Sequence, residues 1–141
     1  MRCEEIMSKG VATLPIEAGV LDAARLMAEK DVGFIPLVDK LGKAIGTVTD
    51  RDIVVRCVAK GDDPRKAKLS DYGGNEVVCC MPDEDISKAR KLMQQHQVQR
   101  VLCCDRAGKP VGVISLQDLA EQDDEKQVGK TVQEVKQPSV H

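Results

Sequence analysis

The chain repeats itself at a fixed distance of 66 residues, and no other feature restricts its fold as much. Gly46, Thr49 and Asp52 of "GTVTDRDI" correspond to Gly112, Ser115 and Asp118 of "GVISLQDL". Without a gap, the same offset aligns Val11 with Val77, Ala23 with Ala89, Leu26-Met27 with Leu92-Met93 and Val32 with Val98. Further on it aligns Asp39 with Asp105 and Gly42-Lys43 with Gly108-Lys109. Ten identities link 11–53 to 77–119, where ordinary residue frequencies give about two or three by chance. Each copy is then one supersecondary unit, too small to bury a sufficient core alone. The expectation is two copies packed sheet against sheet about a pseudo-two-fold axis, with two related clefts.

Period and punctuation give the elements of each copy. "GVATL" and "EVVCC", short apolar runs before Pro15 and Pro82, read as brief strands. Val20, Ala23, Ala24 and Met27 recur at helical spacing, as do Ile86, Ala89 and Met93. "FIPLV" and "RVLCC" read as strands, and "DKLGK" and "DRAGK" as hairpin turns in which Gly42 and Gly108 supply a positive φ. "AIGTVT" and "VGVIS" are the return strands. A second helix follows each, with Ile53, Val54, Cys57 and Val58 on one face of the first. The fold class is α/β (α+β): two tandem β-α-β-β-α repeats with small mixed sheets and packed helices. The first repeat is assigned to 1–61, the charged linker "KGDDPRKAK" and second repeat to 62–126, and a polar tail to 127–141.

Composition excludes several functions. A net charge of −2 gives no basic footprint for nucleic acid. One Tyr, one Phe and no Trp leave an aliphatic core and no aromatic platform for exposed bases. No apolar stretch approaches the length of a membrane span, and "MRCEEIMSKG" has acidic residues where a signal peptide would be apolar. The expected location is the cytoplasm. There the six cysteines, at 3, 57, 79, 80, 103 and 104, read as buried free thiols. Adjacent strand residues point to opposite faces, so neither "CC" pair easily offers both sulfurs to one metal. His96 reads as a solvated helix-end residue and His141 as a terminal one; no Ser–His–Asp or Cys–His arrangement is visible, and no enzyme is expected.

The two polar junctions carry the functional question. Taken alone, Thr49-x-x-Asp52 and Ser115-x-x-Asp118 are capping boxes, each contributing roughly 0.5–2 kcal/mol with no ligand needed. Two considerations favour a binding role. The motif stands at the carboxyl end of a strand, where α/β proteins open ligand crevices. It also opens a helix, whose first N–H groups suit an anion, with Arg51 beside them. Phosphate on the hydroxyl and amides, with ribose on the carboxylate, describes a nucleotide.

Duplicated β-α-β-β-α units with a Gly-apolar-apolar-[Ser/Thr]-x-x-Asp junction resemble a tandem pair of cystathionine-β-synthase (CBS) domains, a Bateman module. The resemblance runs from about Met7 to Leu119, and "VGFIPLVDKLGKAIGTVTDRDI" carries it most closely. It implies regulatory binding of adenosine-containing ligands such as AMP, ADP, ATP, NAD or S-adenosylmethionine, with no required cofactor. The family's ribose-binding Asp falls on Asp52 and Asp118, and its phosphate-binding Ser/Thr on Thr49 and Ser115. The base is implied to lie against Val11, Ala12 and Thr13 with Ile35 and Pro36. In the second copy it lies against Val77 to Cys79 with Val101 and Leu102. There the pattern departs in three ways: Leu102 replaces the Pro, Cys103-Cys104 a Val pair, and Gln117 the position of Arg51. Losing the guanidinium predicts weaker binding at the second site. The resemblance also implies a homodimer, a flat disc of four repeats, and an unidentified regulated protein as the recipient of the signal. Two other readings remain: a ligand-free dimerisation scaffold, and a redox or metal sensor built on the paired cysteines.

Overall fold

The computed structural model describes residues 1–72 and 77–122. The turn expected at Gly73-Gly74, the end of "EQDDEKQ", the 127–141 tail and His141 lie outside the described residues. The chain divides into two compact units, one formed by Val11–Val77 and the other by Met1–Gly10 with Val78–His141.

In the first unit β1 (Leu14–Pro15), α1 (Val20–Lys30), β2 (Phe34–Val38) and β3 (Ala44–Thr49) lead into α2 (Asp50–Asp52) and a π-helical stretch, Ile53–Val58. The second unit has β4 (Cys79–Cys80), α3 (Ile86–His96), β5 (Arg100–Cys104), β6 (Pro110–Ser115) and α4 (Leu116–Gln122). Each sheet has three strands with β2 or β5 at the centre, parallel to the short strand and antiparallel to the return strand. The β-α-β-β-α order and mixed sheets follow the sequence expectation. The short strands do not fill their apolar runs: only two residues of each enter the ladder. Pro15 is itself paired with Val38, and Ile16 N–H still reaches the Val38 carbonyl at 3.1 Å, whereas its counterpart Pro82 has no N–H to do the same.

The repeat extends to backbone detail. Helices α1 and α3 both end on a non-glycine residue in the left-handed region, Asp31 at φ 53° and Gln97 at φ 55°. Gly42 and Gly108 take φ 83° and 84° in their hairpins, as their turn positions require. α1 buries Val20, Ala23 and Met27 against Ile35, Leu37 and Val48, while α3 buries Ile86, Ala89 and Met93 against Val101, Cys103 and Ile114. The second helical segment of the first unit departs from expectation. Ile53 and Cys57 are buried, but Val54 and Val58 are 58% and 54% exposed. They follow the buried pair by one residue, about a quarter turn, and so face outwards.

Each unit is completed by a segment that the sequence identities do not reach. In the first, Val20 N–H donates to the Ala67 carbonyl and Leu69 N–H to Ala18, both at 2.9 Å, which sets Leu69 in the core. In the second, Ile86 N–H donates to Met1 at 2.9 Å and Cys3 N–H to Glu84 at 2.8 Å, which sets Cys3 in the core. Arg2 bridges Asp85 just as Lys68 bridges Gly19. These partners stand 66 residues apart, yet no residue of 1–10 is identical to its counterpart in 67–76. The amino-terminal ten residues therefore belong structurally to the second repeat. Ser8 and Val113 exchange backbone bonds of 2.9 and 3.1 Å beside β6. Met7 lies so close over Gly112 that a Cβ there would stand 2.5 Å from its Sδ.

Candidate functional site

Strand direction gathers the candidate residues of each unit at one end of its sheet. In the first unit, Phe34 pairs with Thr49, Ile35 with Val48 and Pro36 with Thr47, so β2 begins where β3 ends. Leu14 pairs with Leu37 in parallel, which brings Val11, Ala12 and Thr13 in beside the start of β2. Ile35 and Pro36 are buried, Val11 to Thr13 half-buried. In the second unit, Arg100 pairs with Ser115, Val101 with Ile114 and Cys79 with Leu102, giving the same convergence. Cys79 is exposed there, Val101 and Leu102 buried. Val77 is the last residue of the first unit.

At this end of β3 the backbone turns into α2 through a reciprocal cap. The Thr49 hydroxyl accepts from the Asp52 N–H at 3.1 Å, and Asp52 Oδ2 accepts from the Thr49 N–H at 2.9 Å. The second unit reproduces it: Ser115 Oγ accepts from Asp118 N–H at 3.1 Å, and Asp118 Oδ2 from Ser115 N–H at 2.8 Å. All four side chains are half-buried. The cap fixes the χ angles of both partners and leaves specific capacity over. Among the described residues Oδ1 of each Asp accepts no bond from the protein, and each hydroxyl keeps its proton to donate. The arrangement offers a held carboxylate acceptor a few ångströms from a held hydroxyl donor.

One sequence expectation fails here. The first N–H groups of α2 are not available to an anion, because the Asp50 N–H donates to the Gly33 carbonyl at 3.0 Å, the Arg51 N–H to Asp50 Oδ1 at 2.8 Å, and the Asp52 N–H to Thr49. In the second unit Leu116 N–H is likewise taken, by the Gln99 carbonyl at 2.8 Å. The polar groups left open at this end of the first unit are the Thr49 hydroxyl and the exposed Arg51 guanidinium, which makes no ion pair among the described residues. At Gln117 the second unit has no such charge.

The cysteines also differ from expectation. Five are buried and Cys79 is exposed. Strand alternation does separate the members of each "CC" pair, but one member of each pair meets the other, and Cys3 joins them. Cys80 Sγ lies 3.6 Å from both Cys3 Sγ and Cys103 Sγ. Hydrogen bonds from Cys103 and Cys80 lower the Cys3 thiol from its ordinary value, while the bond to Cys3 raises Cys103. Cys3 was invisible to the sequence argument because its partners lie far along the chain.

Comparison with known proteins agrees with this geometry. The family model described as the CBS domain matches the chain twice, over residues 3–58 and 69–125. The CBS domain-containing protein YhcV of Bacillus subtilis is 36% identical over 117 residues, which cover 83% of this chain and 81% of that protein. A crystal structure of Hypoxic Response Protein I with two coordinated zinc ions superposes with a TM-score of 0.77 at 28% identity, covering 88% of this chain and 100% of that one. CBS domain protein PAE2072 of Pyrobaculum aerophilum, complexed with AMP, shares the fold with a TM-score of 0.79 at 22% identity, over 94% of this chain and 98% of that one. Two matched repeats, two mixed sheets in the same strand order and two copies of the capped junction lead to one assignment: the chain belongs to the CBS-domain proteins, as a tandem pair.

Proposed function

We propose that this protein is a non-catalytic regulatory module that takes an adenosine-containing ligand, of the AMP, ADP or ATP kind, at the capped end of each sheet. The observation that carries the reading is the half-buried Asp52, held through Oδ2 by the Thr49 amide while Oδ1 stays open. A ribose presents two adjacent hydroxyl donors to such an acceptor. The Thr49 hydroxyl and Arg51 meet the phosphate, and the base lies against Val11, Ala12, Thr13, Ile35 and Pro36. At the second site Asp118, Ser115, Val77, Cys79, Val101 and Leu102 take the same roles without the guanidinium. The AMP complex of PAE2072 supports the class of ligand. The signal passes to a partner protein, and the working form is a cytoplasmic homodimer.

A ligand-free scaffold is the rival reading, favoured by a cap that is already closed by its own hydrogen bonds. A thermal-shift screen against AMP, ADP, ATP, NADH and S-adenosylmethionine separates the two. A ligand at a hundred times its dissociation constant adds roughly 2.7 kcal/mol. A shift with one ligand that disappears in Asp52→Ala supports nucleotide binding; no shift with any of them transfers the assignment to the scaffold.

A further inference from the structure

We propose that Cys3, Cys80 and Cys103 form a buried site for a soft, thiophilic metal ion of the copper(I) class, bound by three sulfurs. The three Sγ atoms lie within 4.8 Å of one another, two of the separations being 3.6 Å. A metal–sulfur bond of ~2.3 Å places the sulfurs of a trigonal ion roughly 4 Å apart, so the ion fits with changes of less than about 1 Å in the sulfur separations. All three cysteines are buried, at 0%, 3% and 0% exposure. Among the described residues no imidazole or carboxylate joins them. Zinc in structural sites takes four ligands, and this core supplies only three. Soft thiolate sets suit copper(I), zinc and iron–sulfur clusters; the last two are held by four protein ligands, which leaves copper(I) for a set of three.

The backbone brings the three sulfurs together from separate elements. Cys80 and Cys103 are paired neighbours on parallel strands β4 and β5. Cys3 is carried over them by the amino-terminal segment, which Cys3 N–H to Glu84 (2.8 Å), Glu4 N–H to Pro82 (2.9 Å) and Ile86 N–H to Met1 (2.9 Å) fasten to the turn before α3. The protein contains its own control. At the positions 66 residues away the first unit has Leu14, Leu37 and Leu69, with Leu14 and Leu37 paired just as Cys80 and Cys103 are. Packing at this place is thus met by three leucines. Three cysteines fill less volume, and all three positions have changed together. A disulfide would use two of the sulfurs and strand the third; a three-coordinate ion uses all of them. Each thiol that becomes a ligand gives up its proton to solvent.

The test is anaerobic titration of the reduced full-length protein with copper(I) against a competing chelator, followed by sulfur-edge and copper-edge X-ray absorption. The expected result is one ion per chain with three sulfur neighbours. Alkylation mapped by mass spectrometry reads the same site without any mutation, with Cys3, Cys80 and Cys103 protected by copper and Cys79 still labelled. Cys3→Ala, Cys80→Ala and Cys103→Ala should each abolish the stoichiometric ion, while Cys57→Ala leaves it. Absence of stoichiometric copper overturns the proposal. So does copper held through Cys79 or Cys104, a four-coordinate zinc site that outcompetes it, or a Cys80–Cys103 disulfide as the stable state of the protein at the redox poise of a reducing compartment.

Discussion

Asp52 has two roles in this account, and one pair of substitutions separates them. Its carboxylate accepts the half-buried Thr49 N–H through Oδ2 at 2.9 Å, and its Oδ1 is the proposed ribose acceptor. Asp52→Ala removes both and leaves the Thr49 amide without its partner. The Thr49 hydroxyl still caps the N–H of residue 52, so the cost is that of the orphaned half-buried Thr49 amide, about 1.5 kcal/mol. For a domain of this size that is a fall in Tm of roughly 4–8 °C. Asp52→Asn keeps a carbonyl oxygen for the Thr49 amide, so it should stay within about 0.5 kcal/mol of the parent. Its neutral amide is a weaker acceptor for two hydroxyls, and losing the charge-assisted bonds at Oδ1 should weaken ligand binding by roughly ten-fold or more. Urea denaturation gives the stabilities and calorimetric titration the affinities. If Asp52→Asn binds as tightly as the parent while Asp52→Ala is merely less stable, the carboxylate is only a cap and the reasoning fails.

Three further perturbations follow from particular contacts. Gly112→Ala would set a Cβ 2.5 Å from Met7 Sδ and 2.7 Å from its Cγ, so the whole Met7 side chain must leave its seat. The cost should be about 1–3 kcal/mol by denaturation, and Met7→Ala should relieve most of it; additive losses would contradict the contact. Tyr72, the only tyrosine, donates its hydroxyl to Asp62, which pushes its pKa up to about 12. Below pH ~10 both folded and unfolded chains keep the proton and the contribution is complete; it is lost as pH rises towards 12. Tyrosinate absorbance should therefore rise late, and earlier in Asp62→Asn; an unchanged midpoint in that variant would dismiss the bond. Between the two nucleotide sites, Asp52→Ala should cost more affinity than Asp118→Ala, because Arg51 has Gln117 as its counterpart; equal losses would remove the ranking.

The duplication could be read from the sequence because its identities fall where the backbone leaves little choice: the hairpin glycines at 42 and 108, the buried helix positions 23 and 89, and the capping carboxylates at 52 and 118. The gathering of Val11 to Thr13, Ile35 and Thr49 at one sheet end was implied by the family resemblance, and strand direction accounts for it. Two things were not legible. The segments 1–6 and 67–72 share a backbone pattern without one identity, since their task is to supply backbone bonds and one core side chain, and Leu69 and Cys3 both serve. The cysteine trio was hidden for the same reason. Alternation along a strand separates Cys79 from Cys80, but only the register of β4 on β5 reveals that Cys80 faces Cys103. The occupied Asp50 N–H was missed as well, because the Gly33 carbonyl that accepts it is brought there by tertiary approach.

The central claim is that the capped carboxylates bind an adenosine-containing ligand. Its most direct test is a calorimetric titration of the intact chain with AMP and ATP, beside the doubly substituted Asp52→Asn, Asp118→Asn protein. The account predicts saturable heat with at least one of these nucleotides for the parent, and its loss in a double variant that unfolds at the parent's urea concentration. Saturable binding that survives in the double variant, or no binding of either nucleotide by the parent, would contradict it.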